Sequence, residues 1–463
     1  MKIIFENIGI VKRIEIDLSK SLTIFCGPNN TGKTYLAYCI YALNSLMYSD
    51  IASPNYGYIT ALSDIDENFS IDIHRVFCDI KNKFIKKIQS EFINQLSTVF
   101  GLDGESTHRI FADSRISIII EDEEFRYRLS NTTHQSEIKL DTGRTIALKK
   151  CEQSTELQVI SSNSHNNVDN NLKSINEYIN IAIYDLIFKS IFDSAFMATV
   201  ERNSIFTFSK ELSLQRNSLI DDMLNISSKH NKTNSNPLDL LARRAKRYPL
   251  AIRDSLEISE DLNNLKKFNS EYSFIADILE NGLLNGKLSV SKDGELDYSP
   301  NNSKKVKIPL HISASIVKSL SSIVLYFRHF SQKGDLIIID EPELNLHPDS
   351  QILLAKVFGI MINSGFKLII NTHSDYIIRE INNLIMLDKY KDKKLLKQYN
   401  YSEKEIINPS NTSAYLFNPI SNNGVEIEYL EVSEDGFEVE TIDSVINDLN
   451  IRSQELYYKL HEK

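Results

Sequence analysis

The sequence predicts an α/β fold, a head of parallel strands and helices split by a long, mostly helical insertion that contains a small antiparallel sheet. Three observations predict it. The apolar run SLTIFC (21–26) leads directly into Gly27-Pro28-Asn29-Asn30-Thr31-Gly32-Lys33-Thr34 and then a helix-patterned stretch, TYLAYCIYALNSLMY. Far along the chain a second apolar run, Leu336 to Ile339, ends in two adjacent carboxylates, Asp340 and Glu341. A third, FKLIINT, delivers His373. Short apolar runs bounded by turn signals and followed by helical patterns read as buried parallel strands, and Gly27 to Thr34, between such a strand and a helix, makes this a P-loop nucleotide-binding head.

The remaining elements follow from periodicity. Residues 2–6 and 13–17 alternate apolar and polar side chains, as half-buried strands do. Helical stretches near 73–100 and 172–193 bracket a region, 116–160, whose runs RISIIIED, EFRYRLS, TIALKK and ELQVISS read as the small antiparallel sheet. The polar stretches 161–171 and 227–237 carry little that could be buried and read as exposed loops. The head resumes near 305, with helices expected at 313–330 and 350–363 on either side of LIIID, and a closing subdomain from Ser413 to Lys463. The expected organisation is therefore a first head segment, 1–50, an insertion, 51–304, and a second head segment, 305–463.

Composition narrows the function. With 463 residues, 42% hydrophobic and 25% charged, the chain has ample material for a core, which excludes disorder as a whole. A net charge of −10 excludes general adhesion to phosphate backbones, so any DNA contact must be local. The basic clusters Lys81/Lys83/Lys86/Lys87, Arg243/Arg244/Lys246/Arg247 and Lys389 to Lys397 are read as solvated surface. Cys26, Cys39, Cys78 and Cys151 form no CxxC pair, which points to neither a zinc site nor a disulfide framework. No apolar stretch reaches the roughly 18 residues of a membrane span, and a cytoplasmic location is expected.

The chemistry sits at the ends of the three apolar runs. Glycines at 27 and 32 let backbone N–H groups approach phosphates, and the following helix N-terminus favours their charge. Lys33 is placed to reach the β- and γ-phosphates, and the Thr34 hydroxyl to hold Mg²⁺. A carboxylate buried at the end of a parallel strand needs a cation, so Asp340 is expected to share that Mg²⁺ and Glu341 to orient or deprotonate a water. His373 follows at the same edge and could sense the γ-phosphate.

On these residues the chain resembles ABC-type ATPases of the OLD-like and RecF/Rad50/SMC group. EPELNLHPDSQ (341–351) followed by THSDYII (372–378) looks like that group's Walker B, D-loop and switch-histidine region, and the opening strands with GPNNTGKT match as well. The resemblance implies two copies sandwiching ATP and Mg²⁺, each supplying a signature serine to the other. The candidates are Ser313 and Ser315, in His311-Ile312-Ser313-Ala314-Ser315, with the choice between them open and an ordinary helix cap the alternative. Glu343 and His347 fit the pattern E-P-E-x-x-L-H-P, in a D-loop or a turn-stabilising role. Met197 to Asn203 resembles a segment of small defence-type ATPases, where Arg202 reads as an ion-paired structural residue before a catalytic one. Resemblance to Septu-like and PARIS-like anti-phage ATPase subunits implies a sensor or switch with a separate effector, a nuclease or toxin, because no TOPRIM or HNH signature follows His373. The alternatives are a DNA-repair ATPase like RecF or Rad50, opposed by the acidic balance and missing heptads, and a nucleotide-gated scaffold with little turnover.

Overall fold

The computed structural model describes residues 1–50, 68–139, 145–162, 172–208, 248–303, 306–390, 393–420 and 424–461. Its strands in chain order are β1 (Lys2–Ile8), β2 (Val11–Asp17), β3 (Leu22–Cys26), β4 (Phe69–Asp72), β5 (Arg115–Ile119), β6 (His134–Lys139), β7 (Thr145–Lys150), β8 (Glu156–Ser162), β9 (Ala195–Ala198), β10 (Gly286–Val290), β11 (Leu296–Pro300), β12 (Ile308–Pro309), β13 (Leu336–Asp340), β14 (Lys367–Asn371), β15 (Thr412–Ile420) and β16 (Gly424–Leu430). Nine of them form one mixed sheet in the order β5-β1-β2-β16-β15-β3-β14-β13-β9. The run β15-β3-β14-β13-β9 is parallel throughout, and β1, β2 and β5 close one side as an antiparallel flank.

Period-two alternation buries both faces of the parallel strands. Leu22, Ile24, Ile337, Ile339, Leu368 and Ile370 face the core under helices Ser315–His329, Pro348–Asn363 and Asp375–Tyr390. Phe25, Leu336, Ile338 and Ile369 face the opposite core, built with helices Lys33–Asp50, Ile73–Asn94 and Leu172–Ile191. The sheet is thus sandwiched between helical layers, and its strand ends are its free functional edge.

The segment 51–304 departs from its sequence reading in two places. EFRYRLS is helical, within Asp122–Asn131, because Phe125 and Leu129, one turn apart, are the residues it buries. RISII is not in the small sheet; as β5 it pairs antiparallel with β1, and Ile116 and Ile118 point into the main core. With β9 at the other edge, this segment supplies both outer strands of the nine-stranded sheet. The small antiparallel sheet is β4-β8-β7-β6, and β10-β11-β12 form a third. Within Ser413 to Lys463, β15 lies between β3 and β16, inside the main sheet.

Lys81 pairs with Asp122 and Lys389 with Glu434, so one lysine in each of two basic clusters is engaged in an ordinary surface ion pair. Arg243, Arg244, Lys246 and Arg247 lie outside the described residues, as do 163–171 and 227–237. No described helix is long and apolar enough to cross a membrane.

Candidate nucleotide site

Three neighbouring parallel strands end at one edge, β3 with the glycine-rich loop, β14 with Asn371 to His373, and β13 with Asp340 and Glu341. The loop is shaped for close approach. Gly27 has φ 127°, and a Cβ there would sit 2.5 Å from the Phe417 carbonyl oxygen on β15. Gly32 has φ 88°, with Val11 2.8 Å from where its Cβ would be. Neither position admits another L-residue without displacement.

Lys33 opens the helix Lys33–Asp50 and is buried. Its ammonium donates to the Gly27 carbonyl at 3.0 Å, the Pro28 carbonyl at 2.7 Å and the Thr31 hydroxyl at 3.2 Å. Burial lowers its pKa to about 8 against the opposing pull of Asp340, Glu341 and Glu343. The cation is thus held inside the loop by neutral acceptors, which a phosphate oxygen would outcompete.

Asp340 is 1% exposed, and burial raises its pKa. Oδ1 accepts from the Asn371 amide at 2.8 Å, whereas Oδ2 is buried with no geometric hydrogen bond. The Thr34 hydroxyl lies close enough to favour its charged form. A buried carboxylate oxygen left open beside a threonine hydroxyl at the end of a P-loop fits a Mg²⁺ ion.

Glu341 adopts the left-handed region, φ 48°, and its N–H donates to the Asn371 carbonyl at 3.0 Å. Such a conformation in a non-glycine residue needs its surroundings to hold it. Arg202 does so. It is 2% exposed, and it donates to the carbonyls of Asp340 at 2.7 Å, Glu341 at 2.7 Å, Thr199 at 2.8 Å and Ser319 at 3.0 Å. The expectation of an ion-paired arginine is therefore corrected: its direct partners are the main-chain carbonyls of Thr199, Ser319, Asp340 and Glu341. Burial lowers its pKa to about 10, and it remains charged.

Glu343 accepts from the Thr372 hydroxyl at 2.9 Å and the His373 N–H at 2.6 Å, which locks the β14 end to the β13 end. The His373 ring lies near Lys33 and the Gly27 backbone; burial and the Lys33 charge lower its pKa to about 4, so it is neutral. His347 accepts from the Asp349 N–H as the N-cap of Pro348–Asn363.

The two signature candidates separate. Ser313 is 8% exposed and its hydroxyl donates to the Pro309 carbonyl at 3.0 Å. Ser315 is exposed at the first residue of its helix, and the N-cap, Ala314, provides no capping side chain. Asn371 is the site residue that sequence reasoning passed over; its place at a strand end, directly before Thr372 and His373, was the available signal.

The profile of the AAA ATPase domain matches residues 1–378. The chain belongs to the AAA ATPase domain family. Comparison with curated proteins finds no match. Among solved structures this ATPase domain protein is similar to an Smc head bound to the C-terminal winged-helix domain of ScpA, with 10% identity over 93% of this chain and 98% of the other and a TM-score of 0.34. It is also similar to the Smc head with an extended coiled coil bound to the C-terminal domain of ScpA from Pyrococcus furiosus (11%, 97% and 98%, TM-score 0.33). A third is the SMC head domain from Thermotoga maritima (10%, 93% and 98%, TM-score 0.31).

Proposed function

We propose that the chain binds ATP with Mg²⁺ and hydrolyses it between two copies of itself. The observation that carries this is the convergence of Lys33, the open Asp340 Oδ2, Glu341 and His373 on the ends of three adjacent strands. Gly27 to Thr34 would cradle the phosphates, with Lys33 exchanging its carbonyl partners for phosphate oxygens. Thr34 and Asp340 would hold Mg²⁺, which neutralises charge on the phosphates when bound. Glu341, fixed by Arg202, would orient and deprotonate the attacking water. His373, neutral, can donate its ring N–H to a γ-phosphate oxygen.

Of the two serines the reading assigns Ser315 to the other copy's γ-phosphate, since it is exposed beside uncapped N–H groups while the Ser313 hydroxyl is engaged. ATP closes the pair only if its γ-phosphate makes more contacts in the closed state than in the open one. A switch role with a separate nuclease or toxin rests on the resemblance to anti-phage ATPase subunits alone.

The test is subunit complementation. Lys33→Ala and Ser315→Arg are each inactive alone; mixed, they form one intact site from Lys33 of one chain and Ser315 of the other. Restored ATP hydrolysis supports the sandwich. A mixture as inactive as its components rules it out, and Glu341→Gln with saturating ATP should accumulate the closed pair. Duplex DNA added to the same assay distinguishes a DNA-processing ATPase, which it stimulates, from a protein-coupled switch, which it leaves unchanged.

A further inference from the structure

The last described helix, Glu440–His461, carries an apolar stripe that no described residue covers. Val445 is 64% exposed, Leu449 58%, Leu456 55% and Leu460 73%. At 100° per residue these four side chains fall within about 60° of one another, a straight ridge on a helix roughly 33 Å long. Along one side of the ridge runs a charged flank, Asp448, Arg452, Glu455 and Lys459, also exposed. The opposite side, with Ile446, Asn450, Ser453 and Tyr457, carries no charge.

Both rows have the same hidden symmetry. The apolar spacing is palindromic about a point between Arg452 and Ser453: Val445 and Leu460 are equidistant from it, as are Leu449 and Leu456. The charges are palindromic about nearly the same point with their signs reversed, Asp448 mirroring Lys459 and Arg452 mirroring Glu455. A two-fold axis across the helix lays each flank against the same flank of a second copy, so antiparallel pairing sets Val445 on Leu460, Leu449 on Leu456, Asp448 beside Lys459 and Arg452 beside Glu455. Parallel pairing would face the charged flank with the uncharged one and leave the ion pairs unmade. Nothing in a helix destined for an unrelated partner requires this self-complementarity.

We propose that Glu440–His461 pairs antiparallel with the same helix of a second copy, forming a dimer that needs no nucleotide. This goes beyond the ATP-dependent closure and does not rest on it: the helix lies past residue 378, where the match to the ATPase domain ends. Its consequence is that two heads stay tethered when ATP leaves, and reclosure becomes an intramolecular event at high effective concentration.

Sedimentation equilibrium of the full nucleotide-free chain at micromolar concentration tests it. The wild type is expected to be a dimer and Leu449→Glu a monomer with an unchanged circular dichroism spectrum, since the side chain is exposed within the chain. Asp448→Lys turns two symmetric attractions into repulsions and should weaken the dimer on the order of tenfold; adding Lys459→Asp to it should restore the affinity. A monomeric wild type, a Leu449→Glu dimer as tight as wild type, or a charge swap that fails to restore would each overturn the proposal. Lys33→Ala should leave this dimer intact, which separates it from the fate of the ATP sandwich.

Discussion

Replacing Asp340 by Asn should make the nucleotide-free protein more stable while removing its response to Mg²⁺ and ATP. The carboxylate is 1% exposed, one oxygen is held by Asn371 and the other has no geometric hydrogen bond. Asparagine keeps the shape and the bond from Asn371 and removes the buried charge. Either side chain leaves one buried atom without a partner, but only the carboxylate also buries a charge; with Arg202 and Lys33 nearby offsetting part of that cost, the gain is about 2 kcal/mol. Unfolding 463 residues carries an entropy of about 1 kcal/mol per kelvin, so the melting temperature should rise about 2 °C. The sign follows from the pKa: burial raises it, so the folded chain loses stability as pH climbs from the ordinary carboxylate range through the raised value, and the variant does not. Saturating Mg²⁺ and ATP should add about 2.7 kcal/mol to the wild type at a hundredfold excess over Kd and little to the variant. Differential scanning fluorimetry with and without ligand reads all of this. An Asp340→Asn variant that melts lower than wild type, yet shifts equally with Mg²⁺ and ATP, would show that Asp340 is a structural acid and not the open cation ligand.

Other expectations follow from the same geometry. Because the Lys33 ammonium is the binding form and its pKa lies at about 8, ATP affinity should hold below that pH and fall about tenfold per unit above it; titration calorimetry across pH checks this, and Lys33→Arg should flatten the profile. Gly27→Ala drives a Cβ against the Phe417 carbonyl and should cost about 1–3 kcal/mol in a thermal melt while abolishing nucleotide binding. Arg202→Lys cannot span four carbonyls with a single ammonium, so stability should drop by about 3 kcal/mol and kcat more than tenfold with a smaller change in KM. Unchanged kcat in that variant would mean Arg202 supports the fold but not the placement of Glu341.

What the sequence determined by itself was whatever is written locally. Strand, glycine loop and helix at 21–34 form one contiguous signal, because the backbone conformations that bind phosphate need glycine at fixed offsets. The apolar runs at 336–339 and 368–370 announced buried strands, since strands covered on both faces have few polar positions. Only tertiary structure decided which strands are neighbours: that β14 lies between β3 and β13, and that β15 from the end of the chain packs beside β3 from its beginning. Pairing partners are non-local, and an apolar strand reads alike whatever it pairs with. The same reason hid Arg202's task, since the carbonyls of Ser319, Asp340 and Glu341 lie more than a hundred residues away. It also explains EFRYRLS, where the short run fits both periods until the core selects Phe125 and Leu129. Ser313 and Ser315 have the same chemistry on paper; they differ only because folding turns one hydroxyl onto the Pro309 carbonyl and leaves the other at an open helix end.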